Sequence, residues 1–572
     1  MVSASSDVDE DPNPNYDAVK ARQLPHLATM RVQKLQRRQL WSEASATSPV
    51  VRLLIGDALG DAFGFGIEFQ DARWIRARVD PMRGEFPASP VLTGEFAENN
   101  ERGFYSDDTE MTVGLMKALG ESLRAFRMHD ALILIAPPGR SPPVTVPRPP
   151  QTYRLDAGRM LDAWRAEWDL SKQRPPPALP GVGRAGHGGI KYVWKGADEA
   201  APEEKERVEA ELLAAMRQRL RTAVDPGNAP PMRALPLAFV EDPAERERLA
   251  IANADATHPH NKARFASLGI VEAARFLVVE GNVPQRDIIQ RVRARLARSF
   301  PSLRGSYDVR GRPAAASTDF LGRVIRLLTS RLITFHWDDP EWSASLFARM
   351  TSSKEDGMWK ASLAYLQQVD ALPDYHAFGP RYANMPDDVH ALLCGPQPIP
   401  SMRAVLSGDA PGVAGELRGL PADALRTLGS VLYVVKWARG AADALTASVD
   451  LGGDVDSVAA LSLGIVAGAE IGGGLRFGVD VDGDHRRAAR GGAVEAEEGD
   501  EPRLLPWSLL EELEGVEYLV RQAKMFESGF VKVQAPAARQ PAAKHPVLNG
   551  GAVVASFVVL LAVWAASRQS AR

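Results

Sequence analysis

Residues 451–457 read Leu-Gly-Gly-Asp-Val-Asp-Ser, and residues 458–468 continue as Val-Ala-Ala-Leu-Ser-Leu-Gly-Ile-Val-Ala-Gly. The two glycines free the backbone before an Asp-x-Asp-Ser sequence that enters an almost wholly apolar run. A run of this composition predicts a helix that is buried on all sides. Asp454 and Asp456 would then stand at the mouth of a buried helix, where carboxylates need a counter-charge. A hard divalent cation such as Mg²⁺, which prefers oxygen ligands, meets that need.

A second acidic motif lies far from the first in the sequence. Residues 105–109 read Tyr-Ser-Asp-Asp-Thr. Ser106 can cap the helix that follows, and the helix dipole favours negative charge in its first turn, which is an adequate structural explanation for this motif alone. Together the two motifs offer four carboxylates and two hydroxyls. That is enough for two ions at the roughly 3.5–4 Å separation of two-metal sites.

The rest of the chain has helical periodicity. Apolar residues recur three or four positions apart over 111–119, 208–220 and 265–277, whereas the alternation typical of strands is scarce. We therefore predict an all-α fold with a single large helical domain over 49–526. Polar or proline-rich insertions are predicted at about 136–150, 174–186 and 478–502.

Both ends of the chain differ from this domain in composition. Residues 1–48 are predicted to be a polar, disordered leader without a secretory signal, and residues 527–546 a linker. Residues 550–566 are apolar apart from Ser556, at the lower length limit of a membrane span. We predict a C-terminal tail anchor over 547–566 on a cytoplasmic protein, with a buried terminal helix as the alternative.

Composition excludes several classes of function. The formal net charge of −4 gives no basic surface for nucleic acid. The one cysteine, Cys394, cannot form an internal disulfide or a thiolate zinc site, which favours a reducing compartment.

The two acidic motifs resemble the metal-binding motifs of the ADP-ribosylglycohydrolases. Four other segments resemble further motifs of this family and occur in the family's order. They are residues 56–69 (the N-terminal signature), 227–236 (the middle motif), 257–260 (the threonine–histidine segment) and 505–514 (the closing helix). Any one motif is weak, but several in the right order are specific. The resemblance spans residues 50 to 526.

The resemblance implies an all-α fold with a binuclear magnesium site, in which Mn²⁺ can replace Mg²⁺. The implied metal ligands are Ser106, Asp107, Asp108, Asp454, Asp456 and Ser457. The implied catalytic residues are Glu68, near the scissile bond, with Asp107 and Asp456. The implied substrate contacts are Asn228, Gly453 and His258. For His258, ordering of a loop is the favoured alternative.

This chain departs from the family pattern at two places. Val455 stands where the family usually has threonine, between two ligands, and leaves the ligand set intact. Residues 229–231 read Ala-Pro-Pro where the family usually has a second glycine and a small residue. Two prolines remove backbone donors, so the contacts to ADP-ribose are expected to differ.

The function implied by the resemblance is hydrolysis of the glycosidic bond between ADP-ribose and a modified acceptor. The partner would be an ADP-ribosylated protein or a small ADP-ribose conjugate. Two alternatives stay open: a non-catalytic ADP-ribose-binding or structural relative of the same fold, and a two-metal phosphoester hydrolase. Hydrolases of the latter kind tend to use histidine ligands, and neither acidic motif contains one of the 10 histidines.

Overall fold

A computed structural model describes residues 32–87, 102–134, 153–174, 181, 183–184, 186–221, 223, 225–303, 358–395, 399–400, 416–478 and 503–530. The chain divides into two compact units, Met1–Gly529 and Phe530–Arg572. Apart from Phe530, the described residues all belong to the first unit.

Helices make up nearly all of the regular structure. In chain order they are α1 (32–45), α2 (Pro49–Phe65), α3 (Ala72–Arg78), α4 (Asp107–Leu134), α5 (Ala157–Ser171), α6 (Gly188–Glu199), α7 (Lys205–Arg221), α8 (Ala229–Met232), α9 (Pro243–Thr257), α10 (Asn261–Ala274), α11 (Ile288–Leu303), α12 (358–370), α13 (Asp387–Cys394), α14 (Ala424–Trp437), α15 (Ala441–Val449), α16 (Val455–Gly468), α17 (Trp507–Glu512) and α18 (Val516–Phe530). Short 3₁₀ turns and one π-helical segment, Arg275–Glu280, lie between them.

The strands in the described ranges are only two residues long. They are β1 (Ile399–Pro400), β2 (Glu416–Leu417), β3 (Phe477–Gly478) and β4 (Leu505–Pro506). β1 pairs with β2 antiparallel, with Ile399 opposite Leu417, and β3 pairs with β4 in parallel, with Phe477 opposite Leu505. The all-α prediction is confirmed.

Helices α2 and α16 pack against each other at the centre of the domain. Ser48 caps α2 by accepting a hydrogen bond from Val51, and proline occupies the first helical position. Glycines recur every four residues along the face of α2 that meets α16. A Cβ on Gly60 would lie 2.2 Å from the carbonyl oxygen of Ala459. Glycine is unfavourable inside a helix by about 1 kcal/mol relative to alanine, and here it permits a backbone approach that no side chain would allow.

The other helices surround this pair. α10 packs against α9, α11 and α14, while α4 packs against α5. Every residue of α10 from Ala263 to Ala274 is buried. Helix α4 bears the second acidic motif, and α8 lies in the middle motif. Both therefore belong to the same packed core.

The predicted polar leader is wrong for residues 32–48, because α1 belongs to the folded domain. Trp41 is buried, with its ring edge-on to Phe477 at 5.7 Å between centroids. Arg37 pairs with Glu517 at 2.9 Å, and Arg38 pairs with Glu511. These two arginines thus pair with acids of the closing helices. Residues 1–31 lie outside the described ranges.

The closing segment is two helices, α17 and α18, where the sequence analysis named a single closing helix over 505–514. The chain turns at Gly515, whose φ of +65° lies in the left-handed region that glycine favours. α18 then continues to Phe530, so the first residues of the predicted linker are helical.

Several predictions fall on residues outside the described ranges. These are the insertions at 136–150 and 479–502, the rest of the linker, and the tail anchor at 547–566. In the part of the chain that the structure describes, no helix combines the length and apolar character needed to cross a membrane. The tail anchor stays a prediction.

Candidate metal centre

The two acidic motifs meet in the folded domain. Asp107 opens α4, and Asp454 directly precedes α16. Ser457 donates a hydrogen bond of 3.0 Å from its Oγ to Asp108, and the Oγ of Ser106 lies 3.2 Å from the other oxygen of the same carboxylate. The fold therefore brings together predicted ligands from two segments that lie far apart in the sequence.

Carboxylates at this junction form two groups that could each hold a metal ion. One consists of Asp61, Asp108 and Asp456, and the other of Glu68, Asp454 and Asp456. Within each group, one oxygen per residue lies within 4.8 Å of the others. Asp456 is common to both, so its carboxylate could contribute to either group.

Glycines of α2 bring these acids together. A Cβ on Gly64 would lie 2.4 Å from the Cα of Asp456. Because α2 and α16 touch at this level, Asp61 on α2 reaches the carboxylates at the start of α16. The helix spacing therefore sets the distance between the acids.

Gly453 directs the chain into α16, and its N–H and carbonyl groups both form backbone hydrogen bonds. Its φ is +77°. Its N–H donates to the carbonyl of Gln70 at 2.9 Å, and its carbonyl accepts from the N–H of Phe69 at 2.8 Å. A Cβ would lie 2.2 Å from the carbonyl oxygen of Leu420. These contacts position the turn that carries Asp454, and the substrate contact implied for Gly453 stays a prediction.

The electrostatics of the cluster call for a cation. Burial raises the pKa of Asp61 to about 6 and that of Asp454 to about 7. Burial, followed by repulsion from neighbouring carboxylates, also raises the pKa of Asp108, Asp456 and Glu68. Among the described residues, no lysine or arginine forms an ion pair with any of these five acids.

Unpartnered oxygens point to the same conclusion. The Oδ1 of Asp456 and both carboxylate oxygens of Asp57 are buried without a hydrogen-bond partner in the described ranges. Asp57 is fully buried on α2, and its pKa is raised by burial and then by Asp61. Buried polar groups without a partner are rare and costly. A set of oxygen donors without neutralising charge fits a divalent cation.

Asp107 lies beside the two groups and is a member of neither. Its carboxylate accepts a hydrogen bond from the backbone N–H of His187. It is close enough to Asp108, Asp454 and Glu68 to raise their pKa values by repulsion. The structure therefore places this predicted ligand at the edge of the centre.

Asn228 contacts the centre through a ligand. Its Nδ2 donates to the Oδ2 of Asp454 at 2.6 Å and to the Oγ1 of Thr427 at 3.2 Å. The sequence assigned Asn228 to the substrate. The contact with Asp454 fixes the orientation of a metal-ligand candidate, and the substrate role of Asn228 stays a prediction.

His258 belongs to neither carboxylate group. Its Nδ1 lies 2.9 Å from the Oγ1 of Thr257, and a Cβ on Gly227 would lie 3.0 Å from its Nε2. Burial lowers its pKa to about 3, so the ring is neutral near pH 7. These contacts support the loop-ordering alternative, because they hold His258 against the glycine that precedes Asn228.

Sequence reasoning missed Asp61. Its Oδ1 accepts from the N–H of Ser106 at 2.9 Å, and its Oδ2 accepts from the N–H and the Oγ1 of Thr109 at 3.0 and 2.7 Å. Asp61 thus ties α2 to the turn that bears Asp107 and Asp108. The available signal was an acid within a helix whose other residues are mostly apolar, since such an acid must be buried.

Comparison with known proteins identifies the family of this chain. The family model for ADP-ribosylglycohydrolase matches residues 42–474. A solved structure described as an ADP-ribosylglycohydrolase-related protein complex is 17% identical, covering 85% of this chain and 99% of its own, with a TM-score of 0.36. No curated protein matches the chain. Because the family model covers well over half of the sequence, the chain belongs to the ADP-ribosylglycohydrolase family.

Proposed function

We propose that this protein is a metal-dependent hydrolase that cleaves the glycosidic bond between ADP-ribose and a modified acceptor. One observation carries the proposal: the two groups of buried carboxylates that share Asp456. Two neighbouring cation positions of this kind suit a centre that binds a substrate through several oxygens at once.

The donor set suits magnesium or manganese. All the candidate ligand atoms are oxygens, with no histidine or cysteine in either group, and hard cations prefer such ligands. Asp108 and Asp456 would hold one ion and Asp454 and Asp456 the other, with Ser106 and Ser457 beside the first. Asp61 already accepts three hydrogen bonds, so its main task would be to fix the turn at Ser106.

Ions held by these residues would supply Lewis-acid chemistry, orienting substrate oxygens and lowering the pKa of a coordinated water. Glu68 is suited to the proton transfer that hydrolysis requires. It is half-buried, whereas the other members of both groups are buried. Burial and the nearby Asp454 raise the pKa of its carboxyl group, which favours a role as general acid or base near neutral pH. The bond that breaks leaves an oxocarbenium-like ribose, which gains from negative charge nearby.

The acceptor would be a protein side chain or a small molecule carrying ADP-ribose. A direct test incubates the metal-depleted full-length protein with arginine-linked, serine-linked and polymeric ADP-ribose. Mg²⁺ or Mn²⁺ is then added, and released ADP-ribose is measured by chromatography. We expect release from at least one substrate, only with metal.

A matched pair of variants ties the activity to the site. Asp456→Asn should abolish release. Asp423→Asn should not, because Asp423 is equally buried but caps α14 by accepting from Arg426 at 2.7 Å, a bond that asparagine can keep. Metal-dependent binding of ADP-ribose without release would favour the non-catalytic relative. Cleavage of a phosphate bond instead would favour a phosphoester hydrolase.

A further inference from the structure

Gly186, the last residue of the insertion predicted at 174–186, lies against the candidate metal centre. A Cβ on Gly186 would lie 1.7 Å from the Oδ1 of Asp107 and 2.4 Å from its Cγ. The backbone of the loop is therefore in direct contact with this carboxylate, and only glycine fits at that point.

The backbone there takes a conformation that residues seldom adopt. Gly186 has a φ of +92° and His187 a φ of +58°, two left-handed residues in succession. This turn presents the N–H of His187 to the carboxylate of Asp107. Such strained conformations persist only where the surroundings hold them in place.

The side chain of His187 helps to hold this backbone conformation in place. The His187 side chain is completely buried, with its Nε2 2.8 Å from the Oε1 of Glu110. Its ring also contacts Trp168 and Trp194, with centroids 6.5 and 5.7 Å away. Glu110 lies one turn after Asp107 on α4, so the loop is fixed to the same helix that presents Asp107.

Arg184 contacts the metal-binding turn on both sides. Its Nη1 donates to the carbonyl of Tyr105, just before the turn, at 2.8 Å. Its Nε lies 3.2 Å from the Oε2 of Glu110, just after the turn. A further ion pair at 2.6 Å joins it to Glu514, between α17 and α18. Arg184 is itself buried, so these pairs are poorly screened by solvent.

We propose that Gly186, His187 and Arg184 are positioning residues for Asp107, which the family resemblance implies to be a metal ligand: they hold its carboxylate beside the two groups, in the orientation needed to complete the metal centre. The described residues at the end of the predicted insertion are thereby part of the site. This inference rests on the proposed function, since it assumes that the carboxylates bind metal. Removal of such supporting contacts typically lowers metal affinity by about 10–100-fold.

Two glycines of this loop provide a matched test. Gly181 has a φ of +79°, similar to that of Gly186, but a Cβ there would meet nothing within 4 Å. Both alanine substitutions strain the backbone, and only Gly186→Ala displaces Asp107. Mn²⁺ binding to the metal-free, full-length variants is measured by electron paramagnetic resonance, and their unfolding by thermal denaturation.

We expect Gly186→Ala to weaken Mn²⁺ binding at least about tenfold, while Gly181→Ala binds like the parent. Unchanged Mn²⁺ affinity in folded Gly186→Ala overturns the proposal. Equal losses in both variants also overturn it, because strain alone would explain them. If the parent protein itself binds no Mn²⁺, the metal centre of the proposed function is wrong. The positioning role, which depends on that centre, is then wrong as well.

Arg184→Lys keeps the test decisive if Gly186→Ala does not fold. Lysine preserves the buried charge but cannot reach Tyr105, Glu110 and Glu514 together. Weaker Mn²⁺ binding by the folded variant supports the proposal, and parental affinity overturns it.

Discussion

Asn228 and Asp454 are joined by a hydrogen bond of 2.6 Å from the amide Nδ2 to the carboxylate Oδ2, across 226 positions of sequence. The bond connects the middle motif to the acidic motif at 451–457 and leaves the other oxygen of Asp454 for a cation. Groups that orient a ligand in this way affect metal affinity strongly.

Asn228→Ala should therefore weaken Mn²⁺ binding by about tenfold or more. Thr427→Val is the control, since it removes the other partner of Asn228 at 3.2 Å and leaves the bond to Asp454. Calorimetric titration with Mn²⁺ measures both. A variant that keeps its metal affinity but loses affinity for ADP-ribose would restore the substrate role that the sequence suggested.

Asp454→Ala should abolish metal-dependent hydrolysis and leave the fold largely intact. In the metal-free protein at pH 8, loss of this carboxylate relieves repulsion with Asp107 and Glu68. The metal-free variant should then melt no lower than the metal-free parent, although it leaves Asn228 without its partner. Scanning calorimetry and the ADP-ribose release assay check the two parts. Full activity of this variant would contradict the metal mechanism.

Stabilisation by metal should depend on pH. The pKa values of Asp61 and Asp454 rise from their usual 3.8 to about 6 and 7 in the folded chain. Between pH 4 and 7 the folded state thus holds protons that the unfolded state has lost, so metal-free stability falls as pH rises through this window. Above it, the ionised acids need the cation most. The increase in melting temperature on adding Mg²⁺ should be larger at pH 8 than at pH 5, and an equal increase at both would contradict this account.

Glu68→Gln should lower the turnover number more than it weakens binding of ADP-ribose. The glutamine side chain keeps the size of Glu68 but cannot exchange a proton. Steady-state kinetics and equilibrium binding of ADP-ribose to the same preparation separate the two effects. Equal losses in rate and binding would instead assign Glu68 a positioning role.

A histidine outside the site should make stability depend on pH in its own right. The Nδ1 of His376 lies 2.6 Å from Asp374 and its Nε2 3.1 Å from Asp443. Burial alone would lower the pKa of His376, but hydrogen bonds to Asp443 and Asp374 outweigh it and raise the pKa above 6.5. The protonated ring therefore stabilises the fold fully below pH 6.5, and this contribution is lost as pH rises through the folded pKa.

His376→Gln should thus lower the melting temperature by about 2 °C at pH 6, as expected for a partly exposed ion pair in a domain of this size. The difference should shrink by pH 9. A difference that is constant from pH 6 to 9 would show that the histidine acts by packing alone.

Much of the candidate centre was predictable from sequence because the proposed ligands lie at helix starts. Ser106, Asp108, Asp456 and Ser457 occupy caps and first turns, where local sequence dictates structure. Asp61 was not predictable in the same way. Its role depends on α2 lying against α16, and that contact is set by packing across the whole domain.

The backbone contacts of two glycines could not be predicted from the sequence either. The glycine at 453 suggested freedom to approach a ligand, yet its N–H and carbonyl pair with residues 69 and 70. Residue 186 lay in a stretch that composition marked as an insertion, and its contact with Asp107 depends on two left-handed residues. No local pattern specifies which distant side chain such a turn will meet.

The packing of α2 against α16 has a consequence for how the protein is made. All residues of α2 from Leu53 to Phe65 are buried, two aspartates among them. The first residue of α16, Val455, is 390 positions beyond Phe65. At about 5–20 residues per second, a ribosome needs roughly 20–80 s to cover that interval. During this interval α2, which is apolar and bears two aspartates, lacks the helix against which it will pack. The carboxylate cluster that α2 and α16 form together can therefore assemble only late in synthesis.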